Sequence, residues 1–338
     1  SMAVQNARFF RRVLSDGEIG LGESYMDGDW TTPDLVALVR LMLRNRDALS
    51  SLPGVANWIP RTRDAVAHRL RDNSRRGSRK NIHAHYDLGN EFFQLFLDQS
   101  LMYSSAVYER ADDTLEMGQQ EKLRLICDKL DLDPQDHLLE IGTGWGGFAL
   151  FAATNYGCRV TTTTISAEQH AYAKDLIARS KVADRVDVRF EDYRDLKGTY
   201  DKIVSIEMFE AVGLAHYDDY FGAVERLLAP DGAMLLQTIT LDDQYFPSYH
   251  GQADWIEKYI FPGGELASVG AILRSLARAT SLSLYQAENF GTHYARTLHA
   301  WRGRFHRQLD RVRALGFDER FIRMWDLYLA YCEAAFLE

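Results

Sequence analysis

The chain has 338 residues, 46% apolar and 26% charged, which suits a soluble globular protein with one large domain and a smaller one. A net charge of −9 excludes a general polyanion binder, so no nucleic-acid partner is expected. Cys127, Cys158 and Cys332 form no CxxC pair, which speaks against a disulfide framework or a metal site and fits a reducing, cytoplasmic setting; no run approaches the ~18–20 apolar residues of a membrane span, and SMAVQNARFF carries no signal-peptide pattern.

In chain order, residues 1–60 read as a small helical domain. NARFFRRVLSDG is followed by a Gly-rich turn, GLGESYMDGDW, and then by a helix with apolar residues at Leu35, Leu38, Val39, Met42 and Leu43 behind the start signal TTPD. Residues 61–82 read as a basic linker; from Arg61 to Lys80 there are eight Arg/Lys against two Asp. Such a stretch is either a solvated linker or a patch for anionic lipid or phosphate. From residue 83 onward the pattern changes. HLLEIGT (137–143), RVTTTTI (159–165), VDVRFED (186–192), DKIVSIE (201–207) and GAMLLQTIT (232–240) are strand-like runs separated by amphipathic segments. This alternation predicts an α/β fold with a doubly wound, Rossmann-like parallel sheet over 83–338. An insertion at about 242–280, a strand-like SLSLYQAEN (281–289) and terminal helices complete it.

HLLEIGTGWGGFAL reads as strand, glycine turn and helix. Gly142, Gly144 and Gly147 fit GxGxxG, and Gly146 makes GxGxG as well; either a nucleotide-like cofactor or merely a tight turn explains them. A dinucleotide would want an acid ending the second strand, which here ends in Thr164-Ile165-Ser166. Glu140 instead resembles the acid of the E/D-x-G-x-G pattern of S-adenosylmethionine methyltransferases, whose sulfonium cofactor suits carboxylates at the strand ends. Glu207 and Glu210 supply two more at the mouth of an apolar strand, where an unpaired charge is costly. Without a ligand, Glu210 would cap a helix start. Asp192 ends the third strand, where a carboxylate can accept an adenine amino group, with Tyr193 against the ring.

HYDLGNEFFQLFLDQSLMYSSAVYE (85–109), LLEIGTGWGGFAL, TISAEQ (164–169), DYRD (192–195), MFEAVG (208–213), KYIFPGGELAS (258–268) and NFGTHYARTLHAW (289–301) occur in this order. Together they resemble the cyclopropane-fatty-acyl-phospholipid synthase family, which includes the mycolic acid methyltransferases. The resemblance implies a class I methyltransferase fold and an S-adenosylmethionine-dependent reaction. The alkene of an unsaturated phospholipid acyl chain takes the methyl group, a carbocation forms, and a base removes a proton so that the ring closes. It further implies a bound bicarbonate as that base, held by Glu210, Tyr294, the main chain of Ile239 and two positions that depart from the family here. The family's Cys is Ser105, which still offers its amide, and its His is Gln237, which cannot carry a proton charge.

For the cofactor, the resemblance carries over Tyr103, Ser104, Glu140, Gly142, Gly144, Gly146, Thr164, Ser166, Gln169, Asp192, Tyr193 and Glu207. A carbocation wants electron-rich faces and no water, so Tyr259, Phe261 and Trp301, with Tyr294, are expected on the acyl pocket, under a lid made by the insertion. The resemblance also implies peripheral contact with a membrane surface and a possible homodimer. The two departures raise an alternative product, a methyl- or methylene-branched chain without ring closure. Methylation of a different small-molecule acceptor, a non-catalytic lipid-binding relative and an NAD-dependent oxidoreductase are further readings; the last lacks its ribose acid. The family's final strand would follow YCEAAF, so the native chain is expected to continue past Glu338 or to borrow a strand from a neighbour.

Overall fold

The computed structural model describes residues 1–45, 77, 88–249 and 254–338. The basic stretch 61–80, Gly77 apart, and the His85–Tyr86 opening of the first motif lie outside the described residues.

A short antiparallel ribbon, β1 (Ala3–Val4) with β2 (Trp30–Thr31), brackets helix α1 (Arg8–Met26). α1 breaks at Gly17, where φ is 56° and ψ −127°. The expected Gly-rich turn after residue 20 is corrected here: the helix continues to Met26. Packing, not turn geometry, selects its glycines, since a Cβ on Gly22 would lie 2.4 Å from the Trp255 ring. Helix α2 (Leu35–Arg44) starts where TTPD predicts, with Asp34 accepting from the Ala37 amide at 2.9 Å.

After α3 (Asn90–Phe93) and α4 (Leu115–Lys129) the alternation begins: β3 (His137–Ile141), α5 (Gly147–Asn155), β4 (Arg159–Thr164), α6 (Ala167–Ala178), β5 (Val186–Phe190), β6 (Tyr200–Ile206), α7 (Tyr217–Leu227) and β7 (Leu228–Gln237). The five strands form one parallel sheet in the order β5-β4-β3-β6-β7. The winding reverses between β3 and β6, so their carboxyl ends flank the crevice in which such sheets bind ligands. The predicted strand at 281–289 is corrected: the segment is irregular. Strand composition makes a strand only where backbone groups find a ladder, and β7 has no second neighbour among the described residues.

The insertion folds as α8 (Phe246–Tyr249), α9 (Trp255–Tyr259) and α10 (Val269–Ala279), and α11 (Gly291–Arg307), α12 (Leu309–Ala314) and α13 (Glu319–Phe336) follow. Ile272 and Leu276 of α10 pack on the core shared by β6 and α7. α9 turns the other way, and Lys258 and Tyr259 donate to Glu23 of α1 at 2.8 and 2.6 Å. α1 and α2 share a single aromatic-rich core with α3, α11 and α13, and Tyr25 donates to Asp326 across it at 2.9 Å. No described helix is long and apolar enough to cross a membrane.

Candidate active site

The glycine turn after β3 is held by the amides of Gly142 and Thr143, which both donate to the Thr163 carbonyl at 3.1 and 3.0 Å. Gly142 has φ +103°, closed to most side chains. Gly144 lines the crevice, and a Cβ there would project into open space. Beneath the turn, Glu140 is buried and accepts from Thr162 Oγ1 at 2.5 Å; burial pushes its carboxyl up to about 8. Ser166 caps α6 through the Gln169 amide at 3.3 Å, and Thr164 donates to Gln169 Oε1 at 3.0 Å. Asp192 is already engaged: Arg194 donates to both of its oxygens at 2.8 and 2.7 Å. Tyr193 stands edge-on to Tyr220 with centroids 5.3 Å apart.

Glu207 follows β6 with φ +48°, in the left-handed region that costs an L-residue about 1–2 kcal/mol. Its Oε1 accepts from the Ser105 amide and from Gln237 Nε2, each at 2.9 Å, and its Oε2 from the Tyr294 hydroxyl at 2.6 Å. Glu210 Oε1 accepts from the Ile239 amide at 2.6 Å and from Thr238 Oγ1 at 3.1 Å, while Oε2 is buried without a hydrogen-bond partner. Burial, then the charge of Glu207, pushes Glu210 up to about 7. Burial also raises Glu207, against the pull of its three donors. The donors make Glu207 the member that ionises, and Glu210 the one that holds a proton first. The resemblance expects Glu207 at the cofactor; Glu207 is on the wall of the same crevice as Gly142 and Gly144, and its carboxylate accepts from Ser105, Gln237 and Tyr294.

That arrangement bears on the expected bicarbonate. The Ser105 amide, Gln237 side chain and Tyr294 hydroxyl donate to Glu207, and the Ile239 amide donates to Glu210. A further anion would have to displace a carboxylate of the chain and stand beside another. The residues present do not fit it.

A cavity of about 2410 Å³ runs from the glycine turn to the helices, and Tyr103, Glu140, Glu207, Glu210, Phe261 and Tyr294 are on its wall. Ser105, Gly146 and Ser166 are not. Two pocket expectations are corrected: Tyr259 and Trp301 do not line the cavity. Tyr259 is drawn to Glu23 of α1, and Trp301 is fully buried behind Tyr294 and Tyr103. Sequence reasoning missed Lys122, which is 1% exposed and donates to Ser104 Oγ at 2.7 Å. Burial lowers it to about 8, against the charges of Glu207, Asp98 and Glu140. The available signal was Gln119 and Lys122, polar residues on the same stripe as Leu115, Leu123 and Ile126.

The winding of the sheet, the glycine turn with its buried acid and the open space at Gly144 fit S-adenosylmethionine, and the chain is an S-adenosylmethionine-dependent methyltransferase of the class I fold. A family model described as mycolic acid cyclopropane synthetase matches residues 73–338, and the chain belongs to that family. The cyclopropane-fatty-acyl-phospholipid synthase of Escherichia coli (strain K12) is 41% identical over 341 residues, covering 98% of this chain and 83% of the relative. The tuberculostearic acid methyltransferase UfaA1 of Mycobacterium tuberculosis is 38% identical over 333 residues, 96% of this chain and 77% of its own. Among solved structures, the mycolic acid cyclopropane synthase CmaA1 complexed with SAH and CTAB superposes with a TM-score of 0.71 at 33% identity, covering 77% of this chain and 93% of that one.

Proposed function

We propose that the enzyme methylates the double bond of unsaturated phospholipid acyl chains and closes a cyclopropane ring. The observation that carries this reading is the pair Glu207 and Glu210 at the carboxyl end of β6, facing a cavity of about 2410 Å³. The cavity also takes in the edge of β7 left open among the described residues, at 232–236. Its continuous reach from Gly142 and Asp192 past Glu207 to Phe261 and Tyr294, more than its volume, suits a nucleoside-sized cofactor together with an acyl chain. The E. coli relative, matched over almost the whole chain, is named for that lipid reaction.

S-adenosylmethionine supplies an electrophilic methyl on a sulfonium. The glycine turn, Glu140, Gln169, Asp192 and Tyr193 would hold it, with Glu140 and Asp192 acting through the hydroxyl and guanidinium groups they already bind. Tyr103, Phe261 and Tyr294 would offer electron-rich faces to a cation on the acyl chain; the Tyr103 and Phe261 rings lie 6.3 Å apart. The segment 242–280 would act as the lid that keeps water from that cation, and the lipid would be met at a membrane surface.

The test combines vesicles of monounsaturated phospholipid, labelled S-adenosylmethionine and mass spectrometry of the fatty-acid methyl esters. A labelled product heavier by one CH₂ and lacking an alkene is expected. The name of the M. tuberculosis relative favours a second reading, methyl transfer without ring closure, which would give a branched product instead. Absence of label from every lipid, with S-adenosylmethionine bound, would overturn both and point to another acceptor.

A further inference from the structure

We propose that Glu207 is itself the base of this enzyme, standing where the family is expected to hold bicarbonate, and that turnover needs no added bicarbonate. The catalytic step rests on the acyl-chain reading above; the occupancy of the site does not.

Three observations carry it. The Ser105 amide, Gln237 Nε2 and Tyr294 hydroxyl, at 2.9, 2.9 and 2.6 Å, converge on one carboxylate of the chain. These are the groups expected to grip a carbonate-like anion, and a carboxylate offers them the same planar pair of oxygens. Second, Glu207 is held at φ +48°, a conformation glycine adopts freely and glutamate does not. A strained backbone under a side chain with three donors indicates that the carboxylate is what the position is kept for. Third, Gln237 can donate to Glu207 but cannot compete with it for a proton at neutral pH, so the basicity of the cluster rests on the two carboxylates.

The step balances without a further reactant. The alkene pair forms a bond to the transferred methyl as the sulfonium carbon–sulfur bond breaks, leaving the cation on the acyl chain and a neutral thioether. A Glu207 oxygen then takes one proton from that methyl. The released C–H pair closes the third ring bond, and Glu207 ends as the carboxylic acid. Glu210, whose Oε2 is buried without a hydrogen-bond partner, keeps its proton while Glu207 is ionised, which leaves Glu207 as the carboxylate of the pair able to take the proton.

The experiment compares wild type, Glu207→Gln and Glu207→Gly in two assays. Circular dichroism and S-adenosylmethionine binding establish that each variant is folded. In the first assay, ¹³C-bicarbonate binding is followed by NMR without lipid. Wild type and Glu207→Gln should bind none, whereas Glu207→Gly, with its strain relieved and three donors freed, should bind it. In the second, turnover on unsaturated vesicles is measured in carbon-dioxide-free buffer with and without bicarbonate. Wild type should change by less than about twofold. Both variants should lose about 10²-fold or more, and bicarbonate should restore Glu207→Gly at least about tenfold but not Glu207→Gln. Wild type that binds bicarbonate and is stimulated about tenfold by it, or Glu207→Gln within a few-fold of wild type, would overturn the proposal. Wild type that alkylates no vesicle in either buffer would defeat the acyl-chain reading, while the binding assay still decides what occupies the three donors.

Discussion

Replacing Lys122 with Met should stabilise the protein at neutral pH, although it removes a hydrogen bond. Lys122 is almost wholly buried, and burial lowers its ammonium from 10.5 to about 8. That difference corresponds to a penalty of about 3 kcal/mol at pH 7, because the unfolded chain binds the proton more tightly. The penalty is present in full below about pH 8, shrinks as pH rises toward the unfolded value of 10.5, and is gone above it. Methionine has a similar length and no charge, but leaves Ser104 Oγ without its 2.7 Å donor, a loss of about 1 kcal/mol. The net expectation is a gain of about 2 kcal/mol at pH 7, turning into a small loss near pH 10.5. Urea unfolding of both proteins across this pH range measures it; the difference cancels groups remote from residue 122, while Glu140 and Glu207, whose carboxyls the Lys122 charge pulls down, add their own change to it. A Lys122→Met protein that is less stable at pH 7, or a difference that does not move with pH, would refute the reasoning. The charges of Glu207, Asp98 and Glu140 would then be holding the ammonium at little cost.

Two further outcomes follow from single contacts. Glu210→Gln keeps an oxygen for the Ile239 amide and Thr238 but removes the acid at Oε2; turnover should fall about 10²-fold or more while calorimetric S-adenosylmethionine affinity stays within about threefold. Turnover within a few-fold of wild type would mean that the Glu210 acid plays no part in the reaction. Gly22→Ala would put a Cβ 2.4 Å from the Trp255 ring and should destabilise by about 1–3 kcal/mol, read as a lower urea midpoint; an unchanged midpoint would mean that α9 moves away freely.

Much of the architecture is legible because its signals are local. β-branched runs, amphipathic spacing and a glycine turn lie within a few residues of one another, and β3 to β6 appear within two residues of their predicted bounds. The same locality explains the failures. Gly20 and Gly22 read as a turn, yet they lie in a helix whose packing against Trp255 only the fold reveals. SLSLYQAEN has the composition of a strand but no ladder among the described residues. Tyr259 and Trp301 have the right chemistry for a pocket and are turned toward other partners.

The sequence by itself determined that a carboxylate pair would stand at the end of β6, beside a cofactor turn with an acid behind it. Only the tertiary structure decided what that pair does. Glu207 meets donors 102, 30 and 87 residues away, at Ser105, Gln237 and Tyr294. No local pattern encodes that convergence, nor the positive φ that points the side chain into it. Both arise when β7, α11 and the segment before α4 close around the end of β6, where the loss of water makes the placement of each donor decide which carboxylate keeps its charge.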